Sequence, residues 1–274
     1  MNAQPKHGRV TPMDLTEKSA FAIDVCHAAG ELALSYFRDR EKLNIDQKGA
    51  QDWVSDADRN VELLIRARIA EAYPQDGVFG EEHDDTKGDS GFDWVIDPID
   101  GTTNFVNGIP NWTIVLAGVA QGETKVGVIH DPIINETFVA TKGGGAALNG
   151  EPMHVAAGKA LKDGTVGVGY SNRVTAGNVV PVVQALIAEG AMFHRNASGA
   201  LSLAYVSAGR LLGYVEEHMN AWDCVAGQLL IAEAGGIIEE QNADDMIRDG
   251  GRVIVGTPDV FDKLKAISLA AWGD

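Results

Sequence analysis

Cysteine is almost missing from this chain, and basic residues are scarce. Cys26 and Cys224 are the only cysteines, too few for a disulfide framework, so a reducing cytoplasm is the expected setting. No stretch approaches the roughly 18 consecutive apolar residues of a membrane-spanning helix. The opening MNAQPKHGRVTPMD is polar and lacks the apolar centre of a signal peptide. The seven histidines form no zinc-spaced cluster. No Ser-His or Cys-His pairing suggests a covalent nucleophile, and Cys224 reads as a small buried hydrophobe. No GxxxxGK(S/T) loop is present, which argues against a nucleotide-hydrolysing P-loop protein. Lysine and arginine total 22 against 39 acids, for a formal net charge of −17. That balance argues against nucleic acid and anionic membranes as main partners. It also means that the chain would repel a phosphate substrate unless bound divalent cations reverse the local sign.

What is present is an ordinary globular composition: 274 residues, 45% hydrophobic and 22% charged. The length suffices for one large domain or two smaller ones sharing a core. A first helix is expected over about 14–38. A second starts at Ser55, where Ser55 and Asp58 have capping-box spacing. Val61, Leu64, Ile65, Ile69 and Ala72 follow a helical stripe, which Tyr73-Pro74 ends. FDWVID, WTIVLAGVA, TKVGVIH and NETFVAT read as an antiparallel meander separated by turn residues. From about Ala160 the pattern becomes strand–helix alternation, with a helix near 178–189, strands in TVGVGY, LLGYVEE and GIIEE, and a helix in AWDCVAGQLLIAEAG. Thr257-Pro258-Asp259 is expected to cap a final helix. The expected architecture is an α+β half over 1–156 and an α/β half over 157–274, forming one compact unit with the site between them.

Acids stand where elements end. Glu81 and Glu82 follow Val78-Phe79-Gly80, Asp97 and Asp100 close the strand WVIDPID, and Asp223 opens the helix WDCVAGQLLIAEAG. Singly, each has a bland reading: solvated loop acids, an Asp-Gly turn, or a helix-capping carboxylate. The apolar company of Val95, Ile96, Pro98, Ile99 and Trp222 argues against leaving them there, because unpaired carboxylates near a core are expensive. No lysine or arginine lies between Trp94 and Gln121 to neutralise them. A hard divalent cation fits this deficit, since Mg²⁺ takes oxygen ligands and keeps sites for water and phosphate. Gly101 permits close backbone approach, the amides after the strand can cradle an anion, and Thr102 can orient water or phosphate. Carboxylates beside an amide nest point to phosphoryl transfer.

With GEE at 80–82, DPIDGTTNF at 97–105 and WDCVAGQLLIAEAGG at 222–236, the chain resembles the inositol monophosphatase family. Its wider superfamily includes fructose-1,6-bisphosphatases and 3′-phosphoadenosine nucleotidases. The resemblance spans roughly Lys48 to Gly236 and takes in the hairpin stretch GVIHDPIINETFVATKGGGAALNG. It implies a layered αβαβα sandwich, usually a homodimer, with two to three Mg²⁺ ions and sensitivity to lithium. By similarity, Glu81, Asp97 and the Ile99 carbonyl would bind the first ion. Asp97, Asp100 and Asp223 would bind the second. A third, weaker ion would involve Glu81, with Asp58 nearby through water. Glu81 and Thr102 would activate the attacking water, and the amides of Gly101 and Thr102 would hold the phosphate.

The same resemblance gives Glu216 a role in contacting substrate hydroxyls, since a carboxylate suits a small polyol better than a second phosphate. Ser198 and Gly199 align with small substrate-contacting residues at a helix start. Here the chain reads Ala-Ser-Gly where the family commonly has Gly-Ser/Thr-Ala, and Glu217 and His218 replace an apolar-glycine pair. Lys48 resembles the family's lysine near the metals, although a solvated loop lysine is an equal reading. The expected function is a Mg²⁺-dependent phosphomonoesterase for inositol monophosphate or a similar polyol phosphate. Fructose-1,6-bisphosphatase, 3′(2′),5′-bisphosphate nucleotidase and histidinol-phosphatase activities are the alternatives, and a regulatory binding protein on the same fold is the non-enzymatic one.

Overall fold

The computed structural model describes residues 14–49, 52–170 and 174–273, with the side chains of 47–49, 52 and 53 outside the description. The first helix, α1 (Leu15–Arg38), is capped by the Asp14 carboxylate, which accepts from the amides of Thr16 and Glu17. A hairpin of β1 (Ile45–Gly49) and β2 (Asp52–Ser55) leads to α2 (Asp56–Ala72). The expected capping box forms at Ser55, and Tyr73 ends the helix. Val61, Ile65 and Ile69 of the expected stripe are buried, whereas Ala72 is exposed.

The meander is realised within a seven-stranded sheet. Its strands are β3 (Gly77–Gly80), β4 (Asp93–Asp100), then, after the short helix α3 (Thr102–Val106), β5 (Thr113–Ala120), β6 (Glu123–Asp131), β7 (Glu136–Thr141), β8 (Gly145–Leu148) and β9 (Glu151–Pro152), in that spatial order. Only β3 pairs parallel to its neighbour; the rest of the sheet is antiparallel. The remaining chain alternates: β10 (Thr165–Val168), α4 (Ala176–Ala188), β11 (Met192–His194), α5 (Gly199–Ser207), β12 (Gly213–Met219), α6 (Ala221–Glu233), β13 (Ile237–Ile238), α7 (Ala243–Asp249), β14 (Gly251–Gly256) and α8 (Phe261–Trp272). Its five strands form a second sheet ordered β11-β10-β12-β14-β13.

Three apolar clusters define the layers. Helices α1 and α2 bury Val25, Val61 and Ile65 against Trp94, Ile96 and Leu116 on one face of the larger sheet. Its other face packs Val95, Val115 and Ile129 against α5 and α6, whose Leu203, Leu230 and Ile231 also meet Val253 and Val255 of the smaller sheet. Helices α4 and α8 cover the outside of that sheet through Val182, Leu186 and Leu264. The chain is therefore a layered αβαβα sandwich. Among the described residues, no helix is long and apolar enough to cross a membrane.

One expected cap is not made. Val260, not the Thr257-Pro258-Asp259 stretch, takes the cap position of α8, and no side chain closes that helix end. The Thr257 carbonyl instead accepts from the amides of Val260 and Phe261. Asp259 Oδ2 accepts from the Gly158 amide at 2.7 Å, tying the helix start to a distant loop.

Candidate active site

Strand β4 is buried on both faces, and the side to which a residue points decides its company. Trp94 and Ile96 face α1 and α2, whereas Val95 faces α5 and α6. Asp97 follows Val95 in that alternation, so its carboxylate belongs to the inner helical layer, where α6 begins. Parallel pairing of β3 and β4 sets Gly80 opposite Ile96, which carries Glu81 to the level of Asp97. The register of β4 with β5 then shifts between Asp97 and Asp100. Pro98, which has no amide to donate, sits in this irregularity at no cost to the ladder.

These placements bring one carboxylate oxygen each from Glu81, Asp97 and Asp223 within 4.8 Å of one another. Asp97 is only 1% exposed. Burial, then the carboxylates of Glu81, Asp100 and Asp223, push its pKa well above the usual carboxylate range. Its Oδ1 accepts from the Ile99 amide at 3.0 Å. Asp223 also serves its helix, since Oδ2 accepts from the Asn220 amide at 3.1 Å. Three carboxylates from three separate elements, gathered close to a core, suit a divalent cation with hard oxygen ligands.

Asp100 is turned elsewhere. Its Oδ1 accepts from the Gly199 amide at 3.1 Å and Oδ2 from the Ala200 amide at 3.0 Å. The Ser198 hydroxyl also hydrogen-bonds Oδ2. The carboxylate thus occupies the N-terminal end of α5, where free amides and the helix dipole favour an anion. Burial raises its pKa, and Ser198 with the amides of Leu201, Ala200 and Gly199 opposes the rise.

Gly101 and Thr102 continue from β4. Gly101 has φ +97°, and a Cβ there would meet the Asn111 carbonyl oxygen at 2.9 Å, so no other residue fits without movement. Thr102 Oγ1 lies 3.1 Å from both Asp58 Oδ1 and the Ile99 carbonyl oxygen, two acceptors for one proton. Asp58 is buried, and its Oδ2 accepts from the Ser55 amide and hydroxyl at 2.8 and 2.6 Å. Burial raises the Asp58 pKa, against the hydrogen bonds from Ser55 and Thr102.

Beside this cluster opens a cavity of about 150 Å³ whose lining includes Asp100, Ser198, Gly199, Glu216 and Asp223. All five are residues singled out from the sequence. Lys48 lies in β1, and its side chain falls outside the described residues. Sequence reasoning did not pick out Tyr214, Arg195, Asn196 and Tyr170, which line the same cavity. The Tyr214 hydroxyl donates to Glu216 Oε2 at 2.5 Å. Burial raises the Glu216 pKa to about 7, with Tyr214 opposing and Asp223 reinforcing the shift. Among the described residues, the Nδ2 of Asn196 and the Nδ1 of His218 are buried without a hydrogen-bond partner, and a polar ligand would satisfy them. Cys224 is buried, and burial pushes its thiol pKa well up, as suits a small hydrophobe.

Ala197, at the rim of the cavity, holds φ +60°, a left-handed backbone conformation that penalises a Cβ. This is the alanine of the Ala-Ser-Gly stretch at which the resemblance noted above implies a glycine. Ala197→Gly is expected to stabilise the protein by about 1 kcal/mol. Chemical denaturation checks this, and an unchanged or lower midpoint would count against strain at this residue.

The model of the Inositol monophosphatase family matches residues 14–269 of this chain. The Escherichia coli (strain K12) protein named Nus factor SuhB is 36% identical over 249 residues, covering 89% of this chain and 93% of that protein. An inositol-1-monophosphatase of Rhizobium meliloti (strain 1021) is 37% identical over 242 residues, covering 87% and 91%. Among solved structures, the extragenic suppressor protein suhB of Bartonella henselae superposes with a TM-score of 0.87 at 32% identity, covering 92% of this chain and 98% of that one. The Thermotoga maritima IMPase gives 0.82 at 30% identity, covering 93% and 98%.

Proposed function

The chain belongs to the inositol monophosphatase family of phosphoric monoester hydrolases, and from that premise we propose that it hydrolyses inositol monophosphate or a similar small polyol phosphate with the help of Mg²⁺. The observation that carries the reading is the meeting of Glu81, Asp97 and Asp223 within 4.8 Å, with Asp223 also lining a cavity that includes Glu216. Glu81, Asp97, the Ile99 carbonyl, Asp100 and Asp223 would hold two to three ions. When bound, Mg²⁺ lowers the pKa of a water, offsets the charge of the phosphate and steadies the leaving oxygen.

The chain's own groups do the rest. Glu81 and Thr102 orient the attacking water, and Asp58 keeps the Thr102 hydroxyl directed. The amides of Gly101 and Thr102 receive the phosphate oxygens, and the local sign becomes positive enough to admit a dianion to a protein of net charge −17. Ser198 and Gly199 shape the wall against the substrate. Glu216 accepts from substrate hydroxyls, the buried Asn196 Nδ2 offers a donor to the same polyol, and the His218 Nδ1 offers a donor or an acceptor according to its tautomer. The site is assembled between an N-terminal half, 1–156, and a C-terminal half, 157–274. The working form is a cytoplasmic homodimer with no membrane or nucleic-acid partner.

Purified protein is expected to release phosphate from inositol monophosphate with Mg²⁺, to stop with EDTA, and to be suppressed by Li⁺. A panel of phosphate esters at equal concentration tests the substrate class. Strong preference for fructose-1,6-bisphosphate, 3′-phosphoadenosine 5′-phosphate or histidinol phosphate would overturn the polyol reading. The name Nus factor SuhB, carried by the E. coli relative, favours a second reading as a regulatory binding protein on the same fold. Absence of Mg²⁺-dependent phosphate release from every ester would leave that reading standing.

A further inference from the structure

We propose that Glu62 is a positioning residue for Glu81, acting through the backbone of the segment that follows β3. The inference rests on Glu81 being a metal ligand, as argued above. Glu62 lies on α2, one turn beyond Asp58, and is 0% exposed. Its Oε2 accepts from the Glu82 amide at 2.8 Å, the residue directly after Glu81. Its Oε1 accepts from Arg66 Nε at 2.7 Å. Arg66 in turn donates to the His83 carbonyl at 3.1 Å and approaches Thr86 Oγ1 at 3.4 Å. A Cβ at Gly80 would overlap the Glu62 carboxylate, so glycine before Glu81 is what admits the acid behind the loop.

A buried ion pair contributes little net stability, because desolvation offsets its attraction. The partners of this pair are therefore informative: beyond each other, Glu62 and Arg66 bond to residues 82, 83 and 86. The arrangement is built to hold one loop in one place. Asp58, on the same face of α2, holds Thr102. One helix thus grips both groups assigned to the attacking water, and neither acid of the helix needs to touch substrate.

Glu62→Gln and Arg66→Gln test this in the full chain, with Glu81→Gln as reference. Mg²⁺ binding to metal-free protein is measured by calorimetry, and folding by circular dichroism. Glu62→Gln is expected to weaken Mg²⁺ binding about tenfold, the scale seen when the groups behind metal ligands are removed. The Mg²⁺ needed for half-maximal turnover of inositol monophosphate rises in the same proportion, while KM at saturating Mg²⁺ changes less than about twofold. A purely structural role would lower the melting temperature and leave Mg²⁺ affinity alone. Arg66→Gln, on a more accessible side chain, carries the test should Glu62→Gln fail to fold. If Glu81→Gln weakens Mg²⁺ binding and the folded Glu62 and Arg66 variants bind as wild type does, the positioning role is overturned. If Glu81→Gln itself binds Mg²⁺ normally, the metal reading of Glu81 fails first.

Discussion

Asp97→Asn is expected to lower phosphatase turnover by about 1,000-fold or more and, at the same time, to raise the melting temperature of the metal-free protein. The activity loss follows from its position. Asp97 lies with Glu81 and Asp223 in one group whose carboxylate oxygens are within 4.8 Å of one another, and in the proposed mechanism it serves both ions. Removing one preorganised charge from a dry site costs about 10²–10³ in rate even where the remaining machinery is intact, and loss of metal deepens this. The gain in stability comes from the same geometry. Asp97 is almost fully buried and faces other carboxylates, and both burial and those charges act against its ionised form. Asparagine keeps an Oδ1 for the Ile99 amide, 3.0 Å away in the wild type, and discards the charge. Release of functional strain of this kind is worth about 0.5–2 kcal/mol. For a chain of this size each kcal/mol moves the melting temperature by about 2–4 °C. Thermal unfolding in EDTA and phosphate release in Mg²⁺ check the two halves of the prediction. A variant that is both inactive and less stable would place Asp97 in a supporting role.

The same charges set a pH dependence. Asp97 and Glu216 hold protons in the folded state that the unfolded chain releases at lower pH, Glu216 up to about 7. Where the folded protein binds more protons than the unfolded one, stability falls as pH rises. For Glu216 the loss begins near its unfolded pKa of about 4.3 and is complete once pH passes about 7. Metal-free protein is therefore expected to melt at a higher temperature near pH 5 than near pH 8. Mg²⁺ at pH 8 restores much of the difference, because a ligand that binds only the folded state stabilises it.

Much of this was legible before any coordinates, and the reasons are local. Strands β4 to β7 announce themselves because each is apolar or alternating and is bounded by turn residues, and the Ser55–Asp58 box is a contact within one helical turn. The GEE and DPIDGTT motifs were readable as acids at strand ends, although their meeting depends on register. Several other strands were not legible, although GIIEE marked the two-residue edge strand β13. β3 has four residues and β11 three, too few for a periodic signal. β14, spelled GRVIVG, is made a strand by β12 and β13 on either side of it. Helix α7, spelled ADDMIRD, is polar and only seven residues long. Glu62 was overlooked because its neighbours Val61 and Ile65 make the helix read as an ordinary packed face. An acid within such a stripe is itself a signal, since burial without a partner is costly. Tyr214 reads as strand filling until its hydroxyl is placed against Glu216.

Asp100→Asn is expected to be as damaging to turnover as Asp97→Asn but to move stability the opposite way. Four donors converge on the Asp100 carboxylate: the amides of Gly199 and Ala200, the Ser198 hydroxyl, and Thr113 Oγ1 at 3.4 Å. These groups belong to β5 and to the start of α5, so the carboxylate stitches the larger sheet to the inner helical layer. Asparagine can present one oxygen. Its NH₂ must then face a backbone amide, and each buried donor left without an acceptor costs about 1–3 kcal/mol. Burial acts against the charge itself, so the expected loss comes from these unpaired donors and not from the missing charge. A melting temperature lower by several degrees is the expected readout, whereas Asp97→Asn raises it. The two substitutions remove the same charge from the same strand end, with only Pro98 and Ile99 between them. The two carboxylates act on each other, and what separates them is the number of donors the fold supplies: four at Asp100 and, at Asp97, the Ile99 amide. If Asp100→Asn proved as stable as wild type, the helix end would not be holding this carboxylate. If it also retained turnover at saturating Mg²⁺, the assignment of Asp100 to the metal and substrate site would fall.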